Sequence, residues 1–313
     1  MSVFFIILDI LAGLLVLLLC AIYFFLFKPN FDRHDEPPAP LNETQYLHEY
    51  RDFINSSINW FLSQNFEDVY ITSYDGLKLY GTFMAAPEGK CKGSILMCHG
   101  FHGVAPRDFA GLPEFYLSLG YNVLLINQRA HNLSEGKYLT FGVKERFDCR
   151  DWILYLNSRF GESMPVFLHG ISMGCGTILM ATGLELPSNV KGLVADCGYT
   201  SPYDIMLSVL KTQVKLPAFP IMPLSNIMVK CIAGFGLKEC SALDAMKTNR
   251  IPILFICGDK DDFVPTWMTV KNYEACVAEK RLFLVKDAKH AESYFVDKDG
   301  YESQVKDFLK TFS

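Results

Sequence analysis

The sequence predicts an α/β protein with a mostly parallel, doubly wound sheet, an antiparallel N-terminal edge and a preceding transmembrane helix. Three observations predict this fold class: an apolar run at the N-terminus, two β-prone segments around a tight turn, and a regular alternation of short apolar runs with helical patterns. The 313 residues, 50% of them hydrophobic, suffice for one large domain beyond the apolar run. We therefore expect an anchor at 1–28, a linker with an amphipathic helix at 29–66 and one α/β domain at 67–313.

The N-terminal apolar run covers residues 3–27 and is interrupted only by Asp9. At about 1.5 Å per residue it exceeds the roughly 30 Å hydrocarbon core of a bilayer. No basic residue precedes it, and it is longer than the apolar region of a secretory signal, which favours an uncleaved anchor. Because Lys28 and Arg33 follow the run, the positive-inside rule predicts a single-pass membrane protein with its large domain in the cytoplasm.

A spacer and a helix are expected next. Residues 35–40 contain three prolines and two acids, which indicates an extended linker. Apolar side chains then recur at helical spacing, at Leu47, Tyr50, Ile54, Ile58 and Phe61. This helix lacks the Lys/Arg-rich polar face of a helix that lies on a bilayer, so we favour packing against the α/β domain.

The remainder alternates between strand and helix patterns. Runs at 69–72 and 77–84 flank a Tyr-Asp-Gly turn and predict a hairpin. Compact apolar runs typical of strands buried on both faces follow at 94–98, 122–126, 166–168, 193–195, 253–257 and 282–285. Helical patterns lie between or after them at 109–119, 144–158, 173–183, 268–278 and 304–311. In such a sheet ligands bind beyond the carboxyl ends of the strands.

Residues 201–246 interrupt this alternation. They are rich in Met, Leu, Ile and Phe and contain four prolines, Pro202, Pro217, Pro220 and Pro223. The segment is long enough for a helical cap inserted between two strands, and ordinary surface helices of the domain are the alternative.

Composition excludes some partners and sites. The net charge is −5 and the basic residues are dispersed, which gives no electrostatic footprint for a nucleic acid. The ten cysteines lie mostly in apolar runs without zinc-site spacing, which indicates buried free thiols in a reducing compartment. No cofactor is expected.

A nucleophile is expected at Ser172. Residues 170–174 read Gly-Ile-Ser-Met-Gly, directly after the apolar run at 166–168 and directly before a helical pattern. A strand, a sharp turn and a helix are the context of a nucleophile elbow, in which flanking glycines let the backbone crowd while the hydroxyl points into a cleft.

Acyl transfer also needs backbone N–H groups placed for a developing oxyanion. The N–H of Met173 is one candidate, because it follows the nucleophile at a helix N-terminus. The N–H of Phe101 is the other, in the sequence His-Gly-Phe-His-Gly at 99–103 after another strand. His99 and His102 do not predict a metal site, since no carboxylate or cysteine accompanies them at a suitable spacing.

A base and an acid complete the expected site. His290 follows the last strand, at the same edge of the sheet as Ser172, and is the expected general base. Asp261 and Asp262 lie on the loop after the run at 253–257, and one of them is expected to orient the histidine; Asp196 is a third candidate.

With these motifs the sequence resembles the α/β-hydrolase superfamily, more narrowly bacterial single-domain serine hydrolases related to serine aminopeptidases and cinnamoyl-type esterases. The resemblance covers about residues 67–313 and also rests on the Asn-Gln-Arg-Ala-His loop at 127–131. It implies Ser172, Asp261 and His290 as catalytic triad, with Phe101 and Met173 as oxyanion hole, and a structural role for the Arg129 loop. The chain departs from it in Asn127 and Asn132, where relatives often have Asp and Gly, and in the doubled acid.

The expected activity is hydrolysis of a carboxylic ester or thioester through an acyl-enzyme. The apolar segment at 201–246 and the membrane anchor favour a lipophilic acyl substrate. A serine peptidase or amidase, and a catalytically silent binding protein on the same fold, are the alternatives, because a fold does not select a substrate.

Overall fold

The computed structural model describes residues 3–27, 47–89 and 91–313. The spacer at 35–40, together with Lys28 and Arg33, lies outside the described residues. Strands in the described part of the chain form one eight-stranded sheet in the order β1-β2-β4-β3-β5-β6-β7-β8. Their bounds are β1 Glu67–Thr72, β2 Lys78–Met84, β3 Gly93–Cys98, β4 Tyr121–Ile126, β5 Val166–Ile171, β6 Val190–Asp196, β7 Ile253–Gly258 and β8 Lys280–Val285.

The sheet has the expected mixture of directions. β2 runs antiparallel to both of its neighbours, β1 and β4. Every remaining neighbouring pair, from β4 across to β8, is parallel. The predicted α/β fold with a mostly parallel sheet and an antiparallel N-terminal edge is therefore confirmed.

Helices connect and cover the strands. Their bounds are α1 Val3–Ile22, α2 Arg51–Ser63, α3 Ala105–Asp108, α4 Leu112–Ser118, α5 Glu145–Phe160, α6 Met173–Ala181, α7 Pro202–Thr212, α8 Ala218–Ala233, α9 Ala242–Met246, α10 Thr266–Ala275, α11 Ser293–Val296 and α12 Lys298–Phe312. The helical pattern expected at 109–119 corresponds to α4, which begins later than expected because its N-cap residue, Gly111, has a φ of 84°. α12 begins before 304 because the Asp297 side chain caps it, accepting from the N–H of Gly300.

The core consists of two apolar layers, one on each face of the sheet. Leu96, Leu124 and Leu168 pack in the first layer, with Trp152 of α5. Their sequence neighbours Ile95, Val123 and Phe167 pack in the second layer, with Tyr116 of α4 and Phe308 of α12. Successive side chains of a strand point to opposite faces, so strands covered on both faces must be apolar throughout. This is why the central strands appear as unbroken apolar runs in the sequence.

The N-terminal segment differs from expectation. Among the described residues no helix combines the length and apolar character needed to cross a membrane, so the expected transmembrane helix is not found. Helix α1 continues as a π-helical turn, Tyr23–Phe27, that packs onto the α/β domain. Phe27 is fully buried, its ring lies 5.7 Å from that of Phe141, and its carbonyl accepts from the N–H of Leu139 at 3.0 Å. The end of the apolar run therefore belongs to the domain core.

The amphipathic helix packs as expected. In α2, Ile54 and Ile58 are buried against Ala110, and Phe61 joins the second layer of the core. The stripe that the sequence shows at helical spacing is thus the contact with the domain.

Helices α7, α8 and α9 lie between β6 and β7, in the segment expected as an insertion. Met206 and Leu210 of α7, and Ile221 and Met222 of α8, are buried in the first core layer. Since this insertion follows the carboxyl end of β6, it lies at the edge of the sheet where the expected site residues emerge.

Candidate active site

Ser172 occupies a strained turn between β5 and α6. Its φ is 54°, a value that L-residues seldom adopt, and α6 begins at the next residue. A Cβ at Gly170 would collide with the carbonyl of Gly174, and one at Gly174 would collide with the carbonyl of Cys98. The two flanking glycines are therefore required by close backbone approach, and the elbow expected from the sequence is present.

Ser172, His290 and Asp261 form a continuous hydrogen-bonded set. The Ser172 hydroxyl lies 2.8 Å from His290 Nε2, and His290 Nδ1 lies 2.7 Å from Asp261 Oδ2. All three residues are buried. With Nδ1 protonated, Nε2 accepts the serine proton, which is the arrangement of a nucleophile, its general base and an orienting acid.

The structure distinguishes the neighbouring acids. Asp261 Oδ1 accepts from the N–H groups of Phe263 and Val264 at 3.1 and 2.9 Å, while its Oδ2 faces the histidine. Asp262 is exposed. It does not cap α10, whose N-cap residue is Pro265 without a side-chain cap. Asp262 therefore faces solvent, and Asp261 is the acid that contacts the histidine.

The loop that carries Phe101 is held from both sides. Asp108 Oδ2 accepts from the N–H of Gly100 at 3.0 Å. His99 Nε2 accepts from the N–H of Gln128 at 3.0 Å, and the Gln128 side chain donates to the carbonyl of His99 at 2.6 Å. Burial lowers the pKa of His99 to about 4, so the ring is neutral and can accept. Sequence reasoning missed Asp108, which stands in no recognisable motif. It also missed Gln128 as a positioning residue, because the loop at 127–131 was expected to have only a structural role.

Phe101 and Met173 adjoin the nucleophile. Both line the same cavity as Ser172, and Met173 is the first residue of α6. An N–H at a helix N-terminus carries partial positive charge that favours a nearby anion. Both residues therefore adjoin Ser172, and the role of their N–H groups as oxyanion donors stays a prediction.

Arg129 joins two elements away from the cavity. Its guanidinium makes two hydrogen bonds of 2.6 Å each to Asp148 of α5 and two more, at 2.9 and 3.1 Å, to Asp75 in the β1–β2 turn. Arg129 and Asp148 are buried. The structural role implied by resemblance for this loop agrees with these contacts.

A buried polar chain that sequence reasoning missed runs beneath the site. His169 lies between two tyrosine hydroxyls, 2.9 Å from that of Tyr116 and 3.0 Å from that of Tyr301. Tyr301 donates to Asp196 Oδ2 at 3.0 Å. Burial lowers the pKa of His169 to about 3, so its neutral ring donates to Tyr301 through Nε2 and accepts from Tyr116 at Nδ1. The donors thus all point toward Asp196, whereas the acid hydrogen-bonded to His290 Nδ1 is Asp261.

Cys197 raises the question of a metal ion. Its sulfur lies within 4.8 Å of ligand atoms of Asp261 and His290, the one such grouping among the described residues. Burial holds the pKa of the Cys197 thiol well above its usual range, which makes it a poor ligand. Both ring nitrogens of His290 are already engaged, by Asp261 and Ser172. The group does not fit a metal ion.

A cavity of about 130 Å³ opens at the serine. It is lined by side chains from α1, the loop that carries Phe101, the elbow at Ser172, the insertion and the loop that follows Asp261. Those side chains belong to Leu18, Ile22, Phe101, Phe141, Ser172, Met173, Tyr199, Ile205, Met206, Val209, Leu210, Val214, Ile221, Met222, Ser225, Phe263 and Val264. Among these described residues none is charged, and most are aliphatic or aromatic.

Comparison with known proteins agrees with this architecture. The family model described as the alpha/beta hydrolase fold matches residues 93–218. The chain is 28% identical over 216 residues to an uncharacterized protein, YqkD, of Bacillus subtilis, covering 69% of this chain and 70% of that protein. It is 26% identical over 196 residues to an uncharacterized membrane protein, YNL320W, of Saccharomyces cerevisiae, covering 62% of this chain and 63% of that protein.

Among solved structures, the chain is similar to the esterase Pf2001 of Pyrococcus furiosus. The identity is 25% and the TM-score 0.65, with 88% of this chain and 97% of that chain covered. The family match includes β3, the elbow and the start of the insertion, and the structural likeness extends over most of the sheet. The chain therefore has the α/β-hydrolase fold.

Proposed function

We propose that this protein is a serine hydrolase that cleaves carboxylic ester or thioester bonds through an acyl-enzyme. The observation that carries the proposal is the hydrogen-bonded set Ser172, His290 and Asp261, with distances of 2.8 and 2.7 Å, at the mouth of an apolar cavity. The likeness to an esterase of known structure supports the same class of reaction.

The geometry supports two chemical steps. The Ser172 oxygen attacks the carbonyl carbon while His290 Nε2 takes its proton, and the N–H groups of Phe101 and Met173 stabilise the oxyanion. His290 then gives the proton to the leaving alcohol or thiol, which leaves an acyl group on the serine. Water deprotonated by the same nitrogen releases the acid. Asp261 holds the ring and stabilises its cation in both steps.

The cavity favours a lipophilic acyl group over a peptide. Burial of apolar groups is worth about 25 cal/mol per Å², whereas a charged peptide terminus needs a partner of opposite charge. The described lining offers apolar side chains and no charged one. A peptidase or amidase, and a binding protein without turnover, remain the competing functions.

A substrate panel separates these functions. p-Nitrophenyl esters of increasing chain length are assayed beside aminoacyl-p-nitroanilides, and a fluorophosphonate probe reports the reactive serine. We expect ester turnover without anilide turnover, and labelling that Ser172→Ala abolishes with a loss of turnover on the order of 10³-fold or more. Ser188→Ala, at an exposed serine, is the matched control. Anilide turnover would favour the peptidase, and failure of both turnover and labelling would favour the binding protein.

We also propose that the chain associates with a membrane through its N-terminal segment, with the α/β domain on the cytoplasmic side. Large apolar side chains of α1 are exposed, namely Ile6, Ile7, Ile10, Leu14, Val16 and Leu17. The yeast relative is named a membrane protein. The basic residues that follow the segment, Lys28 and Arg33, and the ten free cysteines support the cytoplasmic side.

A further inference from the structure

The last turn of α1 forms part of the wall of the cavity. Leu18 and Ile22 line the cavity together with Ser172 and are partly buried against the core. They are four residues apart, so they share one face of the helix. Leu14, one turn earlier on the same face, is 57% exposed, and Leu17, beside Leu18, is 67% exposed. The described side chains of α1 that reach the cavity are thus those of its last turn, Leu18 and Ile22.

Aromatic contacts hold this wall in place. The buried Phe27 ring packs against Phe141, which itself lines the cavity and stacks on Phe101 with ring centroids 5.3 Å apart. Phe27 also contacts Phe235 at 6.0 Å, and Phe235 is buried in the core. The end of α1 is therefore tied by packed rings to the loop that carries a proposed oxyanion donor.

The insertion supplies the other apolar side chains around the cavity. α1 contacts α8, and Met206, Leu210, Ile221 and Met222 line the cavity from α7 and α8. The cavity volume of about 130 Å³ is close to that of a cavity that holds benzene, roughly 150 Å³, so about six acyl carbons fit within it. A longer acyl chain that stays within this space has to displace a wall side chain, because the packed interior behind the wall has no spare room.

We propose that α1 is a substrate-specificity element: Leu18 and Ile22 close the acyl pocket, so that the enzyme prefers acyl groups of about six carbons to long-chain ones. This inference rests on the proposed esterase function and names the acyl group that the same site takes. It assigns to the N-terminal apolar segment a role in the active site beyond attachment to a membrane.

The test uses the full chain and two matched double variants. Leu18→Ala with Ile22→Ala removes the wall, while Leu14→Ala with Leu17→Ala removes the same apolar volume from exposed positions of the same helix. kcat/KM is measured for p-nitrophenyl hexanoate and dodecanoate. We expect the dodecanoate-to-hexanoate ratio to rise about tenfold or more in the wall variant, the scale that a methylene-sized change in a pocket brings. The control should keep the wild-type ratio.

A third variant, Ile22→Phe, fills the pocket and should lower the ratio of kcat/KM for p-nitrophenyl hexanoate to that for p-nitrophenyl acetate. This variant keeps the inference testable even if the wall variant does not fold. An unchanged ratio in both Ile22→Phe and a folded wall variant would overturn the inference while leaving the esterase function standing. If the wild type hydrolyses no ester, the proposed function fails. The role of Leu18 and Ile22 is then tested by the rates at which short-alkyl and long-alkyl fluorophosphonates label Ser172. The long-to-short ratio of these rates should rise in the wall variant and fall in Ile22→Phe, and unchanged ratios would refute the inference.

Discussion

At the scale of single residues, two adjacent aspartates differ in what their side chains contact. Asp261 Oδ2 faces His290 at 2.7 Å, and its other oxygen is held by two backbone N–H groups. Asp262 is exposed. Of the two, Asp261 is therefore the one placed to orient the histidine.

Asparagine variants of both residues test this difference. Asp261→Asn should lower kcat by several orders of magnitude, about 10⁴-fold in comparable triads, because an amide neither holds the required tautomer nor stabilises the imidazolium. Asp262→Asn should keep turnover within a factor of about two, as expected of a surface substitution. Steady-state kcat for the two proteins is the measurement. A larger loss at 262 than at 261 would show that the other aspartate is the acid.

Asp196 is a buried carboxylate with an unusual environment. Burial raises the pKa of Asp196 to about 7, against the lowering effect of the Tyr301 hydrogen bond. Between about pH 4 and pH 7 the unfolded chain has lost this proton and the folded chain retains it, so stability falls as pH rises through that window.

Asp196→Asn removes this dependence. The free energy of unfolding of the variant minus that of wild type should increase between about pH 4 and about pH 7, by on the order of a few kcal/mol. Above about pH 7 this difference should stay constant. Urea midpoints of both proteins at several pH values provide the comparison. A difference that stays constant across the window would mean that the pKa of Asp196 is not raised.

At the scale of elements, the Arg129 loop joins the β1–β2 turn to α5. The side chains of Arg129 and Asp148, which form an ion pair, are only 3% and 2% exposed. Removing one partner of a buried pair leaves an uncompensated charge, which costs far more than the loss of a surface pair. We therefore expect this loop to contribute to stability rather than to chemistry.

Arg129→Ala should lower the free energy of unfolding by about 3–5 kcal/mol while the folded protein keeps its fluorophosphonate labelling. Arg281→Ala breaks an ion pair with Asp307, whose side chain is exposed, and should cost about 1 kcal/mol or less. Urea unfolding of both variants measures the two costs. An equal loss of unfolding free energy in the two variants would mean that the buried ion pair stabilises the protein no more than the surface pair does.

At the scale of the whole molecule, the proposed membrane association and sidedness can be tested together. Protease added to intact cells should leave the α/β domain uncut, and the protein should sediment with the membrane fraction. The physical reason is the placement of Lys28 and Arg33 after the apolar run. Cleavage of the domain in intact cells whose cytoplasmic marker stays uncut would reverse the proposed side, and recovery in the soluble fraction would contradict the association.

Local patterns predicted most of the fold. The apolar run at 253–257 is β7, and the stripe through Ile54 and Ile58 is the buried face of α2. The start of α4 at Leu112, after Gly111, was not predicted, because a glycine is compatible with a helix until a neighbouring element requires a positive φ. The early start of α12 also escaped prediction: it is set by the Asp297 cap, and the buried Tyr301 in its first turns pairs with residues far away in the chain.

By itself the sequence determined the order of strands and helices, the elbow at Ser172 and the positions of His290 and the acid loop after their strands, because these depend on periodicity and on glycines required locally. Only the tertiary structure decided that Asp261 faces the histidine, that the carboxylate of Asp196 is held by Tyr301, and that Leu18 and Ile22 line the cavity. Those contacts join segments far apart in the chain, and side chains at such distances carry no shared pattern that a single sequence can show.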